Sequence, residues 1–425
     1  MRVLYLLFNQ QGSLTEFSNN TKISLSWVDA MLDELVKCDR ISVGLAVPVN
    51  SNDFQKSQKN GITLYGLPNP ENKSIFIKVY KRLIHSSEDT NANNFISRAV
   101  ADFKPDIIQI FGSENFFGLI AREETTPVVI HIQGYLLVWQ GKWFTGISRW
   151  NQFRYESLKN LLMMRGSFND FVYFKKRAKT EETILKNCKY FMGRTDFDKR
   201  IAALLSPGSN YFHCEEFIRK NFFEKKWDFP LGDEIKCISI IKSTSYKGIN
   251  LLIEALYVLK KYSDLSISLK VCGISQNDAI IKIIKKKYRK ELSSVKIEFL
   301  GKVTSEDLVN QLCNSNFYLH PSYIENSPNS VCEAMALGMP VIATNVGGVS
   351  SLLENEMEGI LVQEGEPYSL AGAIVELTIN YEKAKQLGRN ARIKAHKRHN
   401  PDDILKSLLN IYDKITYENG RKELS

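Results

Sequence analysis

The residues of this sequence best placed to do chemistry are two glutamates that flank the start of a predicted helix. Glu325 follows a short apolar strand, Phe317–His320, and Glu333 lies in the first turn of a helix that begins near Ser330 and is closed by Gly338. Small polar residues just before a helix leave backbone N–H groups free, and the helix dipole strengthens their attraction for an anion. Two carboxylates around such a cluster suit a ligand that carries both phosphate groups and sugar hydroxyls.

A second segment places two cations at the end of a strand and the start of a helix. Lys242 follows the predicted strand Ile235–Ile241, and Lys247 precedes Gly248 at the start of the predicted helix Ile249–Tyr262. Both lysines could neutralise phosphate charge, although lysine lacks the bidentate geometry of arginine. The alternative interpretation is a pair of solvated surface lysines.

The first half of the chain carries fewer residues of this kind. His131 closes the predicted strand Pro127–Ile132, Arg194 follows the predicted strand Tyr190–Met192, and Gly12 marks the loop after the first strand. We interpret His131 and Arg194 as groups that face a ligand. The alternatives are a structural histidine and an arginine in an ordinary salt bridge.

The elements that must position these residues alternate between short apolar strands and longer amphipathic helices. This alternation predicts an α/β fold in which parallel sheets carry helices on both faces. It restarts after residue 220, and the polar, helix-breaking stretch 221–232 separates the two halves. In open parallel sheets, ligands bind outside the carboxyl ends of the strands, which is where the candidate residues lie. We therefore predict two doubly wound domains, residues 1–222 and 223–399.

The motif around the two glutamates is the most specific signal in the sequence. The motif consists of Glu325, seven residues, Glu333 and the tail Ala-Met-Ala-x-Gly-x-Pro-Val-Ile-Ala-Thr. It resembles the donor site of the retaining GT-B glycosyltransferases of the family 4 type, which include many enzymes of bacterial polysaccharide biosynthesis. The resemblance covers residues 235–365 firmly and residues 1–220 loosely. It implies a GT-B fold, with two Rossmann-like domains that face a central cleft, the acceptor on the first and the donor on the second. Residues 400–425, with an apolar stripe at helical spacing, are expected to return to the first domain.

The resemblance also implies roles for individual residues. Glu325 would contact the donor hexose and Glu333 the ribose hydroxyls, while the cations hold the diphosphate. The family usually has Gly-Arg where this sequence has Ile241 and Lys242. The residues expected at the reacting centre are His131, Arg194, Lys242, Lys247 and Glu325. Those expected to bind the donor are Gly12, Lys242, Lys247, Val303, Glu325, Asn326, Ser327, Asn329, Ser330, Val331 and Glu333.

The activity that the resemblance implies is transfer of a hexosyl group from a nucleotide-diphosphate sugar, with retention of configuration, in cell-envelope polysaccharide biosynthesis. The expected donor is a UDP-sugar rather than a GDP-sugar, and the expected acceptor is a glycan or a lipid-linked saccharide. We expect no further cofactor and no metal. Asp196 and Asp198 form an Asp-x-Asp, the metal–nucleotide signature of another glycosyltransferase fold, but Thr195 before them predicts the capped start of a helix.

Two other classes of protein remain as alternatives. A sugar-nucleotide epimerase of similar two-domain build would need acid and base groups on both sides of the sugar, and the tail after Glu333 argues against it. A nucleic-acid-binding protein would fit the net charge of +9, but the sequence has no basic stripe with interleaved aromatic residues. We therefore expect no nucleic-acid partner.

The expected location is the cytoplasm. The apolar runs are too short to span a bilayer, the first residues do not resemble a signal peptide, and the seven scattered cysteines are typical of a reducing compartment. Two aromatic and basic segments, Trp139–Trp150 and Phe168–Lys179, could lie on an anionic membrane surface at the inner face of the plasma membrane. The alternative is that both are ordinary helices with a core face and solvated cations.

Overall fold

The computed structural model of the chain describes residues 1–8, 27–69, 90–156, 160, 163 and 166–423. Gly12, which the resemblance assigns to donor binding, lies outside the described residues.

The described residues form fourteen strands. They are β1 (Arg2–Leu7), β2 (Ser42–Val49), β3 (Gln55–Lys59), β4 (Ile62–Pro68), β5 (Ile107–Phe111), β6 (Val128–His131), β7 (Tyr190–Gly193), β8 (Asn210–His213), β9 (Glu234–Ile240), β10 (Ser266–Cys272), β11 (Lys296–Gly301), β12 (Phe317–His320), β13 (Val341–Thr344) and β14 (Ile360–Val362).

The same residues form sixteen α-helices, and none of these is both long and apolar enough to cross a bilayer. They are α1 (Trp27–Val36), α2 (Thr90–Phe103), α3 (Leu136–Trp139), α4 (Arg149–Tyr155), α5 (Ser167–Asn187), α6 (Asp196–Leu205), α7 (Asn221–Glu224), α8 (Ile249–Tyr262), α9 (Ala279–Lys287), α10 (Arg289–Ser294), α11 (Ser305–Cys313), α12 (Asn329–Leu337), α13 (Val349–Leu352), α14 (Pro367–Ile379), α15 (Tyr381–Arg398) and α16 (Pro401–Glu423).

The first compact unit comprises residues 1–140, 172–217 and 399–425. Its sheet has the strand order β3-β4-β2-β1-β5-β6-β7-β8, and the pairs are parallel except β3 with β4. A parallel sheet is covered on both faces, so its strands are apolar along their whole length. In β1, Tyr5 packs in one core cluster and its neighbour Leu4 packs in the other.

The second compact unit comprises residues 141–171 and 218–398. Its sheet has the order β11-β10-β9-β12-β13-β14, and every pair is parallel. Strand β9 pairs with β10 on one side and with β12 on the other, where Ile238 lies opposite Tyr318. The strand order therefore reverses between β9 and β12, and such a switch point opens a crevice at the carboxyl ends of the two strands.

The predicted domains 1–222 and 223–399 differ from these units mainly in one segment, because residues 141–171 belong to the second unit. A buried hydrogen bond helps to hold the segment there: Gln152 Nε2 donates to Ser245 Oγ at 3.1 Å. The two residues are 93 positions apart in the chain, so no local pattern reveals the excursion.

Helix α16 packs within the first unit. Asn400 caps its start, since its side-chain oxygen accepts from the backbone N–H of Asp402 at 3.0 Å. Its buried side chains join the core cluster of Tyr5, whose hydroxyl lies 3.0 Å from that of Tyr412. The helix residues in this cluster are Ile404, Leu408, Leu409, Ile411, Tyr412 and Ile415.

This packing predicts which sheet loses stability when a buried side chain of α16 is removed. Ile411→Ala is expected to lower the stability of the first unit by about 2–5 kcal/mol, because it removes a buried side chain and leaves a cavity. The neighbouring exposed substitution Asn410→Ala is the control, with an expected change within about 0.5 kcal/mol. Hydrogen–deuterium exchange should become faster in β1 and β2 of the Ile411→Ala variant and should stay unchanged in β9 and β10. Loss of protection in the second sheet alone would contradict the packing.

Candidate functional site

The loop after β9 places a lysine at the switch point of the second sheet. The chain makes a 3-10 turn at Ser245–Lys247 and enters α8 through Gly248, whose φ is +81°. A Cβ at Gly248 would lie 2.0 Å from the carbonyl oxygen of Pro321, so only glycine permits this approach of the two loops. The approach brings Lys247 beside the residues that follow β12.

Glu325 is the centre of a buried polar cluster after β12. Its Oε1 accepts from Lys247 Nζ at 2.5 Å and from Ser322 Oγ at 2.7 Å, and His320 Nε2 lies 3.2 Å from the same oxygen. The residue is only 4% exposed. Burial alone would raise the pKa of the Glu325 carboxyl, but the charge of Lys247 and the approach of His320 outweigh it and hold that pKa below its ordinary range. Glu325 is therefore a fixed negative charge at neutral pH.

The glycine pair after β13 lies against the same loop. Gly347 has a φ of +52°, and a Cβ there would lie 1.8 Å from the carbonyl oxygen of Glu325. Thr344, the last residue of β13, donates from its hydroxyl to the carbonyl oxygen of Ser322 at 2.5 Å. These contacts hold the backbone on both sides of Glu325.

Glu333 is also buried and is also paired with a cation. Arg219 donates to Glu333 Oε1 from both Nε, at 2.9 Å, and Nη2, at 2.7 Å. Burial raises the pKa of the Glu333 carboxyl, and the charge of Arg219 acts in the opposite direction. The guanidinium lies 4.6 Å from the centre of the Phe222 ring. Both contacts fall on Oε1, and no described residue occupies Oε2, which leaves that oxygen for a ligand.

The residues between the two glutamates lead into the first turn of α12. Pro328 stands at the N-cap and makes no side-chain cap hydrogen bond. Asn326 is 2% exposed, and neither its Oδ1 nor its Nδ2 has a hydrogen-bond partner among the residues described. Val331 is buried in the core, and its N–H donates to the carbonyl oxygen of Pro328. An unpartnered buried amide is costly, so Asn326 is the residue of this loop most in need of a ligand.

A groove of about 550 Å³ lies at the carboxyl ends of β12, β13 and β14 in the same unit. Ile324, immediately before Glu325, is part of its wall, and Lys142 Nζ pairs with Glu364 Oε1 at 2.5 Å at its lining. Its other lining residues are Tyr323, Asn345, Val346, Gly347, Leu361, Val362 and Gln363. A wall of aliphatic side chains and one tyrosine ring, with a few polar groups, suits a small polar molecule such as a sugar.

Two expected donor-binding residues lie farther along the same sheet edge. Lys242 is exposed just after β9, and Val303 is half-buried between β11 and α11. Three strand spacings separate β11 from β12, about 14 Å, so a ligand that reaches both Val303 and Glu325 must extend across β10 and β9. Ser327 is buried, and Ser330 is half-buried in the first turn of α12 with Asn329.

His131 and Arg194 meet in a buried cluster of the first unit. Glu216 joins them: Arg194 Nη1 lies 3.0 Å from Glu216 Oε2, His131 Nε2 lies 4.0 Å from Oε1, and Gln133 donates to Oε1. Burial lowers the pKa of His131 to about 4, with Arg194 acting in the same direction and Glu216 against it. His131 Nε2 has no hydrogen-bond partner in the described part of the chain. His131 is therefore a neutral imidazole with a free ring nitrogen.

The Asp-x-Asp of this unit is a helix cap, as predicted. Thr195 Oγ1 accepts from the N–H of Asp198 at 3.1 Å, and Asp198 Oδ2 accepts from the N–H of Thr195 at 3.1 Å, which completes a capping box. Within the described ranges, no group of three or more histidine, cysteine or acidic side chains is arranged to hold a metal ion.

Sequence reasoning missed two residues of these clusters, Arg219 and Glu216. Both belong to the stretch before α7. Arg219 is 114 positions from Glu333, so only the folded chain shows the pair.

Comparison with known proteins finds a family match in the second unit. Residues 221–394 match the family described as glycosyl transferases group 1. The capsular polysaccharide biosynthesis glycosyltransferase CapM of Staphylococcus aureus is 25% identical over 228 residues, which are 53% of this chain and 58% of CapM. The chain spans about half the length of the curated relatives it matches.

Solved structures extend the likeness to nearly the whole chain. Sucrose-phosphate synthase from Thermosynechococcus elongatus superposes with a TM-score of 0.71 at 16% identity, over 98% of this chain and 99% of that one. HepE of Anabaena, solved with UDP and glucose, superposes with a TM-score of 0.65 at 13% identity, over 97% and 100% of the two chains. The predicted α/β GT-B fold class is confirmed.

The environment of His131 predicts a pH dependence of stability. Its pKa of about 4 in the folded protein lies below the ordinary value of 6.5, so its contribution is present above pH 6.5 and is lost as the pH falls through about 4. The free energy of unfolding should fall over this range by about 3 kcal/mol more in the wild type than in His131→Asn. An NMR titration should show the ring of His131 uncharged at pH 6. Protonation with a midpoint near 6.5 would contradict the buried, neutral assignment.

Proposed function

We propose that this protein is a hexosyltransferase that moves a sugar from a nucleotide-diphosphate sugar to a saccharide acceptor in polysaccharide biosynthesis. The observation that carries the proposal is the pair of buried, cation-paired carboxylates, Glu325 and Glu333, on either side of the first turn of α12 at the switch point of a parallel sheet. The match of residues 221–394 to the glycosyl transferases group 1 and the name of the relative CapM support it.

The donor is proposed to lie along the carboxyl edge of the second sheet. Its diphosphate would meet the N–H groups at the start of α12 together with Lys247 and Lys242, which stabilise the negative charge that develops on the leaving group. Glu333 Oε2 would accept from a ribose hydroxyl while Arg219 holds Oε1. A UDP-sugar is the proposed donor, in keeping with the UDP bound to HepE.

The hexose is proposed to lie against Glu325 and Asn326, whose unpartnered amide can bond to sugar hydroxyls. His131 and Arg194 belong to the first unit, which we assign to the acceptor, a glycan or a lipid-linked saccharide. Transfer is proposed to proceed with retention of configuration, without a metal, because lysines and helix amides neutralise the diphosphate. The epimerase alternative has no support from the relatives that match the chain.

The proposed location is the cytoplasmic side of the plasma membrane, where lipid-linked acceptors are presented. The chain would act there as a peripheral protein.

A donor panel tests the proposed function. The protein is incubated with radiolabelled UDP- and GDP-sugars in the presence of EDTA, with a membrane lipid extract as the source of acceptor. We expect label to pass from a UDP-sugar to the extract, with release of UDP, at the same rate with or without the chelator. Epimerised donor without transfer would overturn the proposal. Activity that returns only with added Mn²⁺ or Mg²⁺ would overturn the metal-free mechanism.

The two carboxylates are predicted to have separable effects. Glu333→Ala should weaken UDP binding by about 10- to 150-fold, because a ribose hydroxyl loses a charged acceptor. Glu325→Ala should lower turnover and change UDP affinity by less than about threefold, because it faces the hexose. Calorimetric titration with UDP measures the first effect and initial rates the second.

A nucleotide without ribose hydroxyls provides the control for this prediction. 2′,3′-Dideoxy-UDP should bind the wild type and Glu333→Ala equally weakly, and Arg219→Ala should reproduce the loss for UDP alone. Exposed Glu382, changed to alanine, is the matched surface control. Equal affinity of the wild type and Glu333→Ala for UDP would contradict the ribose assignment.

A further inference from the structure

Three large aromatic side chains are exposed on the segment 141–171 of the second unit. Trp150 is 65% exposed, Phe153 is 52% exposed and Phe168 is 44% exposed. Trp150 and Phe153 lie three positions apart on α4, with ring centres 6.3 Å apart, so they share one face of the helix. The guanidinium of Arg149 lies 5.0 Å from the centre of the Phe168 ring and joins the start of α5 to this face.

The fully buried side chain of α4 is polar, and Tyr155 at the end of the helix packs partly buried against the core. The residue that α4 buries is Gln152, which bonds to Ser245 and to the carbonyl oxygen of Ile147. The core-face interpretation of Trp139–Trp150 therefore does not account for the exposed Trp150 at its end. The side chain that α4 buries is Gln152, and Trp150 and Phe153 are both exposed. Exposed aromatic rings next to arginines require another explanation.

Helix α9 packs against α4 and adds positive charge to the same part of the unit. Its apolar side is in the core, with Ile280, Ile281, Ile283 and Ile284 buried. Its outer side presents exposed lysines, and Lys286 Nζ lies 5.9 Å from the centre of the Tyr155 ring at the end of α4. We call the following residues the basic–aromatic surface: Arg149, Trp150, Phe153, Arg154, Phe168, Lys282, Lys285 and Lys286.

We propose that the basic–aromatic surface docks on the anionic headgroup layer of a lipid bilayer. Tryptophan and phenylalanine side chains insert at the boundary between headgroups and acyl chains, and neighbouring lysines and arginines are attracted to anionic lipids. The surface combines both features on adjacent helices. The inference rests on the proposed function in one respect: a lipid-linked acceptor is found at such a surface.

The complementarity is to a sheet of negative charge with an apolar layer beneath it. The two most exposed rings project from one face of a seven-residue helix, and the cations flank them on α4 and α9. Docking through this surface would be peripheral and salt-sensitive, because the charge attraction falls off within about 8 Å at physiological ionic strength. Single-stranded nucleic acid also stacks on aromatic rings beside cations and is the competing ligand for the test.

Vesicle sedimentation tests the proposal with the full chain. The probes are phosphatidylcholine vesicles with and without phosphatidylglycerol, at low and at high salt. We expect the wild type to sediment with the phosphatidylglycerol vesicles at low salt and to be released at high salt. The double variants Trp150→Ser/Phe153→Ser and Lys285→Glu/Lys286→Glu should each bind on the order of tenfold more weakly.

The control variant carries the same types of change elsewhere on the second unit. Tyr262→Ser/Lys260→Glu alters an aromatic residue that is 63% exposed and an exposed lysine near the end of α8, and it should bind vesicles like the wild type. Equal losses in the control, no loss in the test variants, or no binding by the wild type would each overturn the proposal. Tighter binding of an oligonucleotide, lost in the same variants, would assign the surface to nucleic acid instead.

The outcome is separable from that of the proposed function. UDP affinity and melting temperature are measured on every variant, and both should stay at the wild-type values, since the basic–aromatic surface contains none of the donor-site residues. A protein that binds vesicles but no nucleotide sugar would refute the transferase and leave the docking surface standing. A protein that transfers sugar but does not bind the vesicles would support the transferase and refute the docking surface.

Discussion

Burying two carboxylates, Glu325 in the loop after β12 and Glu333 in the helix that follows, requires a cation beside each. A charged carboxylate loses its hydration when it is buried, and a nearby opposite charge with hydrogen bonds is what offsets that loss. Glu325 obtains this from Lys247, and Glu333 obtains it from Arg219. The two ion pairs differ in which carboxylate oxygens they use. Glu333 uses one oxygen for Arg219 and keeps the other available, and the amide of Asn326 between them has no partner in the described residues.

The parallel sheet of the second unit makes these pairs attainable. Because β9 and β12 are neighbours and run in the same direction, the loops that follow them meet at one edge, and the left-handed conformation of Gly248 allows close contact. The first unit repeats the arrangement with other residues. There Glu216 lies between Arg194 and His131, and the histidine is kept neutral by burial. Each unit thus holds a buried polar cluster in a defined arrangement.

The sequence predicts features that depend on residues close together in the chain, and it misses contacts between residues that are far apart in the chain. The two doubly wound α/β domains follow from the alternation of apolar strands with helices. The GT-B fold and the candidate site come from the resemblance carried by the two glutamates and the tail after Glu333. The roles of Arg219 and Glu216 were not predicted, because each residue contacts a partner that is distant in the sequence. The hairpin of β3 and β4 escapes for another reason. Strand Gln55–Lys59 is an edge strand without an apolar face, although Asn60 and Gly61, both with positive φ, form a known hairpin turn signal.

We propose that the paired carboxylates around α12 form a nucleotide-sugar site. The decisive measurement is a crystal structure of the protein with UDP. We expect a ribose hydroxyl within hydrogen-bond distance of Glu333 Oε2, with Arg219 still on Oε1. We also expect the diphosphate against Lys247 and the first turn of α12, and the base toward Val303. A nucleotide bound elsewhere in the chain, or one that displaces Arg219 and leaves the start of α12 empty, would contradict it.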